Sequence, residues 1–251
     1  MALAWQAALR TGQSGWIDAI WTFATGLGGA AAALSFTDAE ITSRQILVAA
    51  MAILWSLRLG IHIVVRTAHG GDDPRYRQLQ EDWGDAYGKR LFWFLQIQAL
   101  AALVLALSIM IAARNPVPTL TIFDWVGLAV LIVAVVGEGI ADRQLSAFRS
   151  DPANHHKICE VGLWGVSRHP NYFFEWLGWL AYTVIAIGPT HPYPWGWLAL
   201  AGPFFMYWLL VHGSGIPPLE AHMLRSRGDT FRKYQQRVNA FWPGPTKTAH
   251  E

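Results

Sequence analysis

The stretch Ser167-Arg168-His169-Pro170-Asn171-Tyr172-Phe173-Phe174-Glu175 places a basic, hydrogen-bonding cluster at the mouth of an apolar helix. Proline is well tolerated in a helix's first turn. Asn171 and Glu175 then stand four residues apart and share one face. An amide and a carboxylate are thereby carried into an apolar segment, where an unpaired amide costs roughly 2–7 kcal/mol. Partners are required. Other ionisable groups recur at the same spacing. Arg58, His62 and Arg66 follow each other every four residues, Glu138 and Asp142 do the same, Arg149 comes seven after Asp142, and Asp18 lies three before Trp21. Ionisable residues inside membrane spans are rare and mostly functional. The competing explanation is a salt bridge between helices or snorkelling at a helix end, and it is preferred for Arg66 and Arg143. For Arg58, Glu138, Asp142, Asn171 and Glu175 together, on separate helices, one shared cavity is the expectation.

The residue types indicate the ligand. Arginines (Arg58, Arg149 and Arg168, with Arg225 and Arg237 as additions) can grip phosphate bidentately. Carboxylates and Asn171 suit ribose hydroxyls, amides or the arginines themselves. A ligand with several phosphates and polar rings, held at the cytoplasmic mouth of a helix bundle, fits this mixture. The chain has neither a Gly-x-Gly-x-x-Gly after a strand nor a P-loop. Gly26, Gly28 and Gly29 read as small residues for helix packing. His155, His156 and Cys159 share a loop, but no second cluster completes a zinc set, so no metal is expected. No Gly-x-Ser-x-Gly elbow appears. Ser214, between two glycines, reads as a helix end, and His191 as a solvated outer-loop residue.

The elements that must position these groups are membrane helices. Of 251 residues 53% are hydrophobic and only 14% charged, with 14 Trp, against about 25% charged in a soluble domain. Mean hydropathy is +0.25. The expected fold class is an all-α integral membrane protein, a bundle of six to seven transmembrane helices with a cavity on the cytoplasmic side. One transmembrane domain covers residues 1–251. A single cysteine excludes an internal disulfide framework, and a formal net charge of +2 gives no reason to invoke nucleic acid. No obligate protein partner is evident. The start at Met1 lacks a cleavable leader pattern, so the mature chain is expected from there.

Six runs are long enough to cross about 30 Å of hydrocarbon: 15–36, 44–66, 90–113, 122–141, 171–188 and 195–213. Residues 2–10 are too short for a seventh and 219–240 too charged. Loops carry Gly70-Gly71-Asp72-Asp73-Pro74 and the stretch 189–194. Lys and Arg concentrate in the tails and in the second and fourth loops, while the first, third and fifth loops hold only Arg44 and Arg114. The positive-inside rule then puts both termini in the cytoplasm. Most of the tryptophans near segment ends read as interfacial belts.

Gly162-Leu163-Trp164 followed by Ser167 through Tyr172 and Glu175 resembles the C-terminal domain of steroid 5α-reductases, covering here about residues 90–245. More closely, the chain resembles their bacterial membrane relatives of the DUF1295 type. The resemblance extends to Trp55-Ser56-Leu57-Arg58-Leu59-Gly60 and His62, to Asp72, Pro74, Arg75 and Tyr76, and to the tail from Gly215-Ile216-Pro217-Pro218-Leu219-Glu220 through Tyr234-Gln235-Gln236-Arg237. It covers about residues 15–243. It implies a multi-pass protein of the bacterial inner membrane that uses NADPH to reduce the C=C bond of a 3-oxo-Δ4-steroid or another lipophilic enone. The implied cofactor residues are Arg58, Glu138, Asp142, Arg149, Arg168, His169, Asn171, Tyr172, Glu175, Glu220, Tyr234 and Arg237. Glu138 stands where eukaryotic members carry Asn, and Phe174 where close relatives often have a small residue. At the enone carbonyl, Trp55 falls where the family's Tyr would be, and no Gln-Glu pair occurs in the first span. Against these relatives the chain is expected to begin late and to lack most of one upstream helix.

Hydride added to an enone's β-carbon builds negative charge on the carbonyl oxygen, and a donor placed against that oxygen is often the largest catalytic contribution. A protonated Asp18, aided by His62 or an ordered water, is the expected donor, with Trp55 beside it. Trp21, Phe23 and Trp55 are expected to line an apolar, lipid-accessible slot for the flat substrate. NADPH brings the reductant, the protein position and electrostatics. Two other readings stay open. Arg-His-Pro also occurs in S-adenosylmethionine-dependent membrane methyltransferases resembling the isoprenylcysteine carboxyl methyltransferases, and a non-enzymatic sterol- or lipid-binding protein is the third.

Overall fold

The structure, a computed structural model, describes residues 1–35, 40–69, 74–188 and 193–247, with the side chains of Pro74 and Arg75 excluded. His191 and the Gly70–Asp73 stretch lie outside the described residues. The described chain is helical, without strands. Its α-helices are α1 (Ala2–Thr11), α2 (Gly15–Leu34), α3 (Ser43–Ala68), α4 (Pro74–Trp83), α5 (Tyr87–Ala113), α6 (Ile122–Ser150), α7 (Pro170–Ile187), α8 (Ala201–Val211) and α9 (Ile216–Arg237).

Five helical runs among the described residues are long and apolar enough to cross a membrane: Gly15–Leu34, Ser43–Ala68, Tyr76–Ala113, Ile122–Ser150 and Pro194–Arg237. The segment expected at 171–188 does form α7, but this helix is not among the five. It has 18 residues, and Pro170, Asn171 and Glu175 lower the hydropathy of its first half. The fourth run continues nine residues past the expected end at 141. At 1.5 Å per residue the 29-residue α6 is about 44 Å long, which exceeds a core of about 30 Å. Its polar last turns therefore extend beyond the hydrocarbon.

The chain divides into two compact units, Met1–Leu131 with Trp179–Phe205, and Ile132–Gly178 with Met206–Glu251. In the first, α2 packs along α3 and α5. Small residues allow the close approach. A Cβ on Gly26 would overlap Ser56, and one on Gly29 would meet Ile109, as expected of packing glycines, whereas Gly28 faces open space. Three hydroxyls here are satisfied within or between helices, as an apolar surrounding demands. The Thr22 and Thr25 hydroxyls donate to the carbonyls of Asp18 and Trp21, both at 2.8 Å, and Ser56 Oγ donates to Thr22 O at 3.2 Å. Thr42 and Gln45 close a reciprocal capping box at the start of α3.

Arg44, one of the two outer-loop cations, is buried. It meets both carboxylate oxygens of Asp124 at 2.7 and 3.0 Å and donates to the carbonyls of Asn115, Val117 and Thr119. Its charge is neutralised inside the unit.

In the second unit, Phe174 packs over Gly137, where a Cβ would overlap its ring. This answers the bulk expected at position 174: the large ring lies on a glycine of the neighbouring helix. Phe173, Trp176, Tyr207, Phe241 and Trp242 form a cluster with ring centroids 5.0–6.4 Å apart. Such edge-to-face pairs add to their burial, and here they bind the tail after α9 to α7 and α8.

Candidate functional site

In the first unit the site residues lie on α2, α3, α4 and α5. Asp18, half-buried on α2, accepts a 3.0 Å hydrogen bond from the Tyr76 hydroxyl of α4. Tyr76 is buried among Ala4, Ala8, Ile17, Leu91 and Leu95, and its oxygen accepts from Gln98 Nε2 at 3.3 Å. The Gln98 carbonyl accepts from Trp21 Nε1 at 2.9 Å, tying the expected substrate residue Trp21 to the same strut. A carboxylate, a phenol and an amide thus form one chain of hydrogen bonds, which orients each member. Tyr76 and Gln98 were not among the expected catalytic residues. The available signals were a tyrosine in the motif after the second span and a lone amide within an apolar run.

Phe23 lies against Gly60 of α3, which has no side chain to displace the ring. Trp55 is buried and packs edge-on against Trp179 at 5.1 Å, and is therefore part of the unit's core. Arg58 and His62 are half-buried on α3, one turn apart.

In the second unit the loop before α7 is shaped by its own side chains. Ser167 Oγ accepts from His169 N and donates to Phe241 O at 3.0 Å, and Pro170 then opens the helix. Arg168 is saturated. It meets Glu220 through Nε at 2.7 Å and Nη2 at 3.0 Å, and donates through Nη1 to the carbonyls of Gln235 and Val238. Glu220 also bonds His169 Nε2 at 3.0 Å and Gln235 Nε2 at 2.7 Å. His169 stacks on Tyr172 with centroids 5.5 Å apart. Burial pushes the His169 imidazole below its ordinary 6.5, against the opposing pull of the Glu220 bond and charge.

Two further expected residues are held in the same manner. Arg237 Nη2 donates to both carboxylate oxygens of Glu160, each at 2.9 Å, and the Tyr234 hydroxyl donates to Trp164 O at 2.6 Å. Arg168, Glu220, Tyr234 and Arg237 thus fasten α9 to the loop 160–169. Asn171 Nδ2 donates to Asp142 Oδ1 at 3.5 Å, which joins α7 to α6. Glu138 and Glu175 are buried, 5% and 7% exposed. Arg149, exposed near the end of α6, acts electrostatically on Cys159, while burial raises the Cys159 thiol.

The donor set fits part of a dinucleotide well. Glu138, Asp142, Asn171 and Glu175 present carboxylates and an amide suited to ribose hydroxyls and a carboxamide. For phosphates, the expected set in this unit includes the exposed Arg149 and Arg225, while Arg168 and Arg237 hold carboxylates.

Residues 4–238 match the family described as "Protein of unknown function (DUF1295)". The chain belongs to the DUF1295 family. The chain is also similar to an uncharacterized protein of Schizosaccharomyces pombe, 27% identical, with the match covering 81% of this chain and 65% of the yeast protein. The chain thus spans less than two thirds of that relative's length. No solved structure matches.

Proposed function

We propose that this DUF1295 protein is an NADPH-dependent reductase acting on the C=C bond of a lipophilic enone, of the kind carried out by steroid 5α-reductases on 3-oxo-Δ4-steroids. The observation that supports it most is the Asp18–Tyr76–Gln98 chain, beside Trp21 and near the start of a membrane helix. Asp18 in its protonated form, one oxygen held by the Tyr76 hydroxyl, is a donor for the carbonyl oxygen that becomes negative as the enone is reduced. Gln98 donates into the phenol oxygen, which strengthens the Tyr76 O–H bond to Asp18 and so fixes the carboxyl in place. NADPH, when bound, supplies the hydride for the β-carbon. Asp142, Asn171, Glu138 and Glu175 would hold its ribose and carboxamide, and Arg149 and Arg225 its phosphates. Ion-paired Arg168 and Glu220 keep α9 in place over the loop. The basic tails and second and fourth loops support a plasma-membrane orientation with both termini in the cytoplasm.

A second reading has one observation in its favour. Glu138 and Glu175 are buried carboxylates, a residue type that also suits a cationic sulfonium cofactor. That reading is S-adenosylmethionine-dependent methyl transfer. Mass spectrometry of the detergent-purified protein separates the two. Retained NADP(H) and NADPH oxidation with an enone support reduction; S-adenosylhomocysteine and labelled-methyl incorporation support the alternative. Glu175→Gln should weaken NADPH retention, and wild-type retention and turnover in that variant would remove the proposed assignment.

A further inference from the structure

A cavity of about 560 Å³ opens at the beginning of α5, lined by Trp83, Lys89, Arg90, Trp93, Phe94 and Ile97. None of the site residues above contributes to it. Trp83 and Phe94 pack edge-on at 6.1 Å and make one wall, while Lys89 and Arg90 are exposed at the first turn of the helix. Below them, Trp93, Ile97, Leu100 and Leu107 follow at steps of four, three and seven and are all exposed. That spacing puts them on one face. An apolar stripe along a membrane helix thus leads into an aromatic cavity that ends in two cations.

We propose that this cavity binds an anionic phospholipid, its phosphate at Lys89 and Arg90 and one acyl chain along Trp93, Ile97 and Leu100. The division of the site selects the occupant. A nucleotide would set its base and ribose against Phe94 and Ile97 with no polar partner. A zwitterionic lipid would fill the apolar part equally but bring an ammonium toward the two cations. The acids Glu81, Asp82 and Asp85 do not line the cavity, and the two ionic side chains that do are both cations. Cations beside a membrane helix and tryptophans at headgroup depth are the usual means of holding an anionic headgroup.

The test is native mass spectrometry of the full chain, stripped of lipid and offered phosphatidylglycerol or phosphatidylcholine with identical acyl chains. Wild type should retain phosphatidylglycerol roughly 10–30-fold more than phosphatidylcholine. K89Q/R90Q should bring phosphatidylglycerol down to the phosphatidylcholine level, and W93A should reduce both lipids. R77Q, an exposed arginine on α4 outside the cavity, should leave the preference unchanged. Equal retention of the two lipids by wild type overturns the proposal by itself, whether or not the double variant folds. So does a preference that survives K89Q/R90Q, or one that R77Q abolishes as fully.

Discussion

Arg168 and Glu220 are 52 residues apart in sequence and meet in a two-pronged bond, Nε to Oε1 at 2.7 Å and Nη2 to Oε2 at 3.0 Å. Both side chains are largely buried, 10% and 13% exposed. This pair fixes the start of α9 to the loop that opens α7, and the last Arg168 donor reaches the far end of α9 at Gln235 and Val238. Removing one partner leaves the other charge buried without compensation, a loss of roughly 3–5 kcal/mol. Arg168→Ala should lower the melting temperature and open α9 to protease. Arg168→Lys should recover only part of it, because an ammonium cannot reproduce the fork.

Asp18 and Tyr76 give the sharpest functional expectation. Tyr76→Phe removes one hydroxyl and leaves the ring's packing among Ala4, Ala8 and Leu91. Enone reduction should fall on the order of 10²–10³-fold, and NADPH retention should stay at the wild-type level. Steady-state turnover together with equilibrium cofactor binding checks both halves. Loss of binding with unchanged turnover per bound cofactor would assign Tyr76 to the fold alone.

Arg44 and Asp124 offer a contrasting stability test. Arg44→Met leaves the Asp124 carboxylate buried and should destabilise the first unit by roughly 3–5 kcal/mol. The double variant R44M/D124L should recover much of the loss, since apolar residues of similar volume often replace a buried ion pair without cost. Thermal melting in one detergent measures all three proteins. Recovery should be incomplete, because Arg44 also bonds the carbonyls of Asn115, Val117 and Thr119.

His169 predicts a pH dependence. Its folded-state proton affinity is depressed below the ordinary 6.5 by burial. The unfolded chain therefore binds more protons through that region, and stability rises with pH there. The contribution is complete above 6.5 and is lost progressively as pH falls below it. Melting at about pH 5.5 and about pH 8 should show a smaller difference for His169→Gln than for wild type. An equal or larger difference in the variant would contradict the sign.

The helices were legible in the sequence where apolar runs and breakers agree. The run read at 15–36 is α2, that at 44–66 lies within α3, and that at 90–113 lies within α5. The end of α6 was missed because Arg143, Gln144 and Arg149 look like loop residues by hydropathy yet are compatible with helix, and the helix simply continues outside the hydrocarbon. At 195–213 the chain begins with the 3-10 turns Pro194–Leu200 before α8, since Pro194, Gly196 and Pro203 disfavour a continuous α-helix. In the second unit, four-residue spacing grouped Asn171 with Glu175 and Glu138 with Asp142, but did not show the Asn171–Asp142 bond between the two helices. It could not reveal that Arg168 and Arg237 are occupied by Glu220 and Glu160, because those partners are 52 and 77 residues away. The Asp18–Tyr76 bond spans 58 residues and was hidden for the same reason.

The central claim concerns hydride transfer, and isotope labelling tests it most directly. Purified protein is incubated with a 3-oxo-Δ4-steroid, or another lipophilic enone, and NADPH carrying deuterium at the transferable position. Expected is a saturated ketone with one deuterium at the former β-carbon, formed in step with NADPH oxidation and suppressed in Tyr76→Phe. No NADPH consumption with any enone, together with transfer of a labelled methyl group from S-adenosylmethionine to a lipid acceptor, would contradict it.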